Sequence, residues 1–275
     1  MQVTEWAGSG DPVMLLHATG FHSRCWDQVA SRLPGVQLYA VDLRFHGGSG
    51  RSGEVDWGMM AQDIEQLLEA LDLQRVVGVG HSIGGYLMAR AAAGQLSRFK
   101  QLLLVDPVIF APETYAADFG EPLAIDPTAN PVSRRKNRWR DAREMYERFT
   151  DRPPFHQWQD QVLRDYCEYA LAEVPGESAY QLACDPLHEA SIYLSQHGNE
   201  VIHQLLPGLT LPITVLRAAP ATGSEPSFST SPTWPGLAGA LPNGREFYFP
   251  AMSHFIPMED PALVARFIRE AVEAS

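Results

Sequence analysis

The chain has 275 residues, 45% of them hydrophobic and 20% charged, which suits one large domain, or a domain with an insertion, around a full hydrophobic core. Its formal charge of −12 excludes nucleic acid as a partner, because a nucleic-acid binder needs a basic footprint. No run nears the roughly 18 apolar residues of a membrane span, and no basic segment precedes a long apolar one at the N-terminus, so neither a membrane partner nor a signal peptide is expected.

Short apolar runs alternate with helical patterns. Strands are expected at 13–17 (VMLLH), 37–42 (QLYAVD), 75–80 (RVVGVG), 101–106 (QLLLVD), 213–217 (ITVLR) and 246–250 (EFYFP). They are nearly continuously apolar, as parallel strands covered on both faces are. Helices are expected at about 23–33, 57–72, 83–95 and 260–273. In the second, Ile64, Leu67, Leu68 and Leu71 recur at i, i+3, i+4 and i+7, one buried face. This alternation predicts an α/β fold with a doubly wound, mostly parallel sheet. The rhythm breaks between 108 and 208, where no buried strand is evident and helical patterns are joined by Pro-rich segments. That interval reads as a helical cap on a core of 1–107 and 209–275. Its aromatics, among them Trp139, Phe149, Phe155, Trp158 and Tyr166, read first as the cap's own small core. Residues 219–236 form a Ser/Pro/Thr-rich loop. Cys25, Cys167 and Cys184 share no metal-like spacing and read as reduced thiols of a cytoplasmic protein.

The stretch GVGHSIGGYL (78–87) sits where a buried strand meets a helix. A serine there can serve merely as a helix N-cap. Capping does not require glycines two before and two after it, whereas a strained turn that presents a nucleophile does. Ser82, between Gly80 and Gly84, is therefore the expected nucleophile. Of the nine histidines, His254 follows the last strand by a short loop that points back toward the strand ends. An imidazole there can take the serine proton and return it to the leaving group. The competing reading is an ordinary surface-loop histidine.

Four motifs in order make the chain resemble the α/β-hydrolase superfamily: LLHATGF, DLRFHGGSG, GHSIGG and AMSHFIPMEDP. Two departures are visible: Ala18 stands where the family has glycine, and there is room for only about one strand before 13–17. The resemblance implies the order nucleophile, acid, histidine. The usual acid position, the loop after 213–217, holds no Asp and only Glu225. The family's other position is the end of the preceding strand, where Asp106 stands, as in haloalkane dehalogenases and zearalenone-type lactone hydrolases. Asp106 is placed first and Glu225 second; an Asp-Pro turn is the structural alternative for Asp106. Alignment of HATGF on the family motif makes the amides of Thr19 and Ile83 the oxyanion donors. Phe21, His22, Trp26, Tyr86, Val108, Ile109, Trp139, Trp158 and Phe255 are candidate walls of a substrate pocket, and equally candidate core.

The expected activity is hydrolysis of a carboxylic ester of a small-to-medium apolar substrate through an acyl-enzyme, without metal or cofactor. Lactone cleavage and carbon–carbon bond hydrolysis use the same groups, so the partner is a small-molecule ester or lactone. A non-catalytic small-molecule receptor on the same fold is the alternative of another class. A basic run, RRKNRWRDAR (134–143), reads first as a solvated helix face and second as a steering patch for an anionic substrate.

Overall fold

The computed structural model describes residues 1–118, 126–196, 198–220 and 228–274. His197 and Glu225 lie outside the described residues. Ten strands are present among those described: β1 Val3–Trp6, β2 Ser9–Leu16, β3 Val36–Val41, β4 Val76–His81, β5 Phe99–Val105, β6 Arg138–Trp139, β7 Leu171–Glu173, β8 Tyr180–Leu182, β9 Ile213–Ala218 and β10 Gly244–Phe249. The α-helices are α1 Asp27–Ala30, α2 Trp57–Ala70, α3 Ile83–Gly94, α4 Pro112–Asp118, α5 Ala142–Phe149, α6 Asp160–Tyr169, α7 Pro186–Leu194, α8 Ile202–Leu205, α9 Ile256–Glu259 and α10 Pro261–Glu273.

Seven strands form one sheet in the order β1-β3-β2-β4-β5-β9-β10. β1 runs antiparallel to β3, and the other neighbours are parallel. The strand pleat explains why the central strands read as unbroken apolar runs. Met14 and Leu16 pack on the α2–α3 side with Met60, Ile64 and Met88. Val13 and Leu15 pack on the opposite side with Val29, Val264 and Ile268. Successive side chains face opposite layers, and both layers are helical. One strand, β1, precedes β2, as the short stretch before 13–17 leads one to expect.

The interval between β5 and β9 differs from expectation in one respect. It is mostly helical but also holds a small antiparallel sheet in the order β6-β8-β7. These strands have two or three residues each. A period of two cannot declare itself over so short a run. The expected helix at 23–33 is broken into a 3-10 turn, Ser23–Trp26, and the single turn α1. Among the described residues, no helix is long and apolar enough to cross a membrane.

Candidate active site

The strand order brings three C-terminal strand ends side by side: β2, β4 and β5. Ligands of open parallel sheets bind at that edge. Ser82 follows β4 directly and holds φ 59° and ψ −123°, a strained conformation for a residue with a side chain. The neighbouring glycines are required by close approach. A Cβ on Gly80 would lie 2.2 Å from the Gly84 carbonyl oxygen, and one on Gly84 would lie 2.5 Å from that of Leu16. The Ser82 hydroxyl makes no capping hydrogen bond to α3, so the N-cap reading does not describe it. It lines a cavity of about 580 Å³ together with Thr19 and His254.

Asp106 follows β5 directly and is completely buried. His254 Nδ1–H donates to Asp106 Oδ2 at 2.7 Å. The other carboxylate oxygen accepts from the Ala218 amide at 2.8 Å, the Ser231 hydroxyl at 2.6 Å and, longer, the Thr233 hydroxyl at 3.3 Å. A buried carboxylate needs this many partners to offset its lost hydration. Among its described residues, the Ser/Pro/Thr-rich loop supplies hydroxyls to this carboxylate. Sequence reading missed that role, because a hydroxyl donor in a loop has no periodic signature.

His254 is held from three sides. Its amide donates to the Ser229 carbonyl at 2.8 Å. Its own carbonyl accepts from His81 Nε2–H at 2.8 Å. The Asp106 bond fixes the remaining ring nitrogen, Nε2, as the acceptor facing the cavity. Among the described residues, neither Ser82 Oγ nor His254 Nε2 is engaged by another side chain.

The loop after β2 is stapled by two histidines. His17 Nδ1–H donates to the Ala18 carbonyl at 2.8 Å, and its Nε2 accepts from the Leu43 amide at 3.0 Å. His46 Nδ1–H donates to the Arg44 carbonyl at 2.9 Å, and its Nε2 accepts from the Gly20 amide at 2.9 Å. Both rings must be neutral to accept. Burial pushes His17 well below the ordinary histidine value and His46 down to about 4. The Gly20 amide is consumed by this staple. The Thr19 amide has no acceptor among the described residues, and the Ile83 amide lies in the first turn of α3, where helix amides are unpaired.

The pocket candidates divide. Phe21, Val108, Trp139 and Phe255 line the cavity. Trp26, Tyr86, Ile109, Trp158 and His22 do not, and each has a packing reason. Trp26 lies in the layer opposite α2 and α3. Tyr86 and Ile109 belong to the α2–α3 core, where the Tyr86 hydroxyl donates to the Asn199 carbonyl at 3.2 Å. Trp158 sits behind the wall, 5.4 Å from the rings of Phe21 and Phe255. His22 Nε2–H donates to the Tyr166 carbonyl at 3.0 Å, tying the loop after β2 to α6. Several cap residues that sequence reading gave to the cap's core are in that core and line the cavity as well, among them Phe149, Phe155 and Tyr166. Arg135 binds Glu189 at 2.5 Å and the Tyr166 hydroxyl at 3.1 Å, and the Glu189 carboxylate abuts Gly20. The cap is thus braced against the loop that carries Thr19.

Known proteins share this arrangement of chain. Lipase LipV of Mycobacterium tuberculosis is 25% identical over 279 residues, covering 98% of this chain and 96% of its own. N-formylmaleamate deformylase of Pseudomonas putida is 26% identical over 258 residues, covering 93% and 86%. The crystal structure of E-2-(acetamidomethylene)succinate hydrolase superposes with a TM-score of 0.75 at 20% identity, over 99% of this chain and 94% of that one. A family model described as the alpha/beta hydrolase family matches residues 13–267, a span that runs from β2 through the cap and into α10 and takes in the C-terminal ends of β2, β4 and β5. The chain belongs to the alpha/beta hydrolase family.

Proposed function

We propose that the protein is a serine hydrolase that cleaves a carboxylic ester through an acyl-enzyme. One observation carries the reading: a buried carboxylate hydrogen-bonded to His254 Nδ1, beside a serine on a positive-φ turn that opens on the cavity. In this reading Ser82 Oγ attacks the ester carbonyl and passes its proton to His254 Nε2. The Thr19 and Ile83 amides hold the negative oxygen of the tetrahedral intermediate. The intermediate collapses, the leaving alcohol takes the proton from His254, and the acyl group stays on Ser82. Water, deprotonated by His254, then releases the acid and restores the serine. Asp106 keeps the imidazole in the required tautomer and stabilises its charged form. Residues 1–107 and 209–275 serve as the hydrolase core, and 108–208 as the cap that closes the substrate cavity. A second reading, hydrolysis of an N-acyl rather than an O-acyl bond, is favoured by the relative named N-formylmaleamate deformylase.

The test is covalent. A fluorophosphonate probe should add one adduct by intact mass, and Ser82→Ala should abolish it. The same variant should fold normally and lose roughly a thousandfold or more in turnover of 4-nitrophenyl esters, the scale for loss of the nucleophile. Near-native turnover in the purified variant would sink the serine-hydrolase reading.

A further inference from the structure

The cavity has an electrostatic asymmetry that the proposed chemistry does not use. Its charged lining residues are Arg134, Arg135, Lys136, Arg148 and Arg152, against the carboxylate of Glu189. This stands in a chain of formal charge −12. The pairing pattern of the cap cations sharpens the point. Arg135 pairs with Glu189, Lys136 with Glu144, Arg138 with Glu177, Arg140 with Asp141, Arg143 with Glu147 and Arg164 with Asp160. The cap cations without a carboxylate partner among the described residues are Arg134, Arg148 and Arg152. All three line the cavity and are exposed, so they stand at its rim. A solvated helix face would scatter its unpaired charges over the outside of the cap. Here they converge on one opening from three separate segments: the 3-10 turn Pro131–Arg134, α5, and the turn after it.

Apart from these charges the lining is largely apolar and aromatic, with Phe21, Trp139, Phe149 and Phe155. We propose that the substrate is an ester carrying a carboxylate several bonds from its scissile carbonyl. The carbonyl sits at Ser82, the hydrocarbon spacer lies along the aromatic wall, and the carboxylate meets the rim arginines. Guanidinium groups suit a carboxylate through paired N–H donors. Their long-range field also draws an anion toward the opening of an otherwise acidic protein. This inference rests on the ester-hydrolase reading and names the substrate class within it.

The test compares 4-nitrophenyl hexanoate with the 4-nitrophenyl half ester of adipic acid, which has the same chain length but ends in a carboxylate. The wild type should prefer the charged ester in kcat/KM, through a lower KM. Raising the salt should erode that preference, since an exposed interaction is screened over roughly 10 Å at 0.1 M. Arg134→Gln, Arg148→Gln and Arg152→Gln should each lower the charged-to-neutral ratio roughly two- to fivefold, and the triple variant by on the order of tenfold or more. The charged-to-neutral ratio is the readout, because a general effect on the cavity lowers both esters alike and cancels in it. A wild type that favours the neutral ester, or a ratio indifferent to the triple substitution, would overturn the inference while leaving the hydrolase reading intact. Turnover of neither ester would instead count against the hydrolase reading. The inference is then decided by calorimetry with adipate, which should bind the wild type and not the triple variant; equal binding overturns it.

Discussion

Asp106 gives one carboxylate oxygen to His254 and the other to an amide and two hydroxyls. An amide in its place would present an N–H where an acceptor is needed and turn the imidazole toward the wrong tautomer. Asp106→Asn is expected to slow the chemical step by orders of magnitude, with a native circular-dichroism spectrum. Glu225→Gln is expected to stay within a few-fold of wild type. The reverse order of the two variants on one ester would move the acid role to the later loop. Ser82 and His254 were legible in the sequence because a strained turn and a post-strand loop leave local marks. Asp106 was legible only as the better of two positions. The hydroxyls of Ser231 and Thr233 that hold it were not legible, because they reach it from about 125 residues further along the chain.

The elbow between β4 and α3 depends on helix and strand approaching without a Cβ between them. Gly80→Ala would place a methyl 2.2 Å from a backbone oxygen that cannot swing away. A loss of about 2–3 kcal/mol is expected in urea denaturation, on the scale of overpacked cores, together with a lower kcat as Ser82 shifts. A variant with wild-type midpoint and rate would show that the elbow yields more easily than its geometry implies. The cap follows another logic. Its Phe155 stacks on Phe149 and Tyr166, and Trp158 meets Tyr166 edge-on, as in a core, yet three of those four also face the cavity. Aromatic spacing along a helix says that a face is buried. It does not say whether protein or substrate covers it.

Across the whole molecule, four buried histidines act together on stability. Burial pushes His17, His22, His46 and His81 below the ordinary value, His46 to about 4. In the unfolded chain each would titrate near 6.5, so the unfolded state binds more protons in the interval between the two values. Stability is then complete above about pH 6.5 and is lost as pH falls toward the folded-state values. His46 alone is expected to cost about 2 kcal/mol between pH 7 and pH 5, at roughly 1.4 kcal/mol per unit. Urea denaturation at those two pH values measures the difference, and equal unfolding free energies would show that these rings are not buried neutral.

By itself the sequence determined the parallel sheet, the elbow serine, the loop histidine and the presence of a cap. Each is written in residues near one another, as an apolar run, a glycine pair or a break in the alternation of elements. Only the tertiary structure decided the rest. Strand order put β5 beside β4 and so set Asp106 next to the strand that leads into Ser82. Packing sent Trp26, Tyr86 and Ile109 into the core and drew Phe149 and Phe155 to the cavity. Folding of the cap paired most of its cations and left Arg134, Arg148 and Arg152 at one opening. Both chain neighbours and distant partners compete for every side chain, and only the closed chain shows which of them lies within reach.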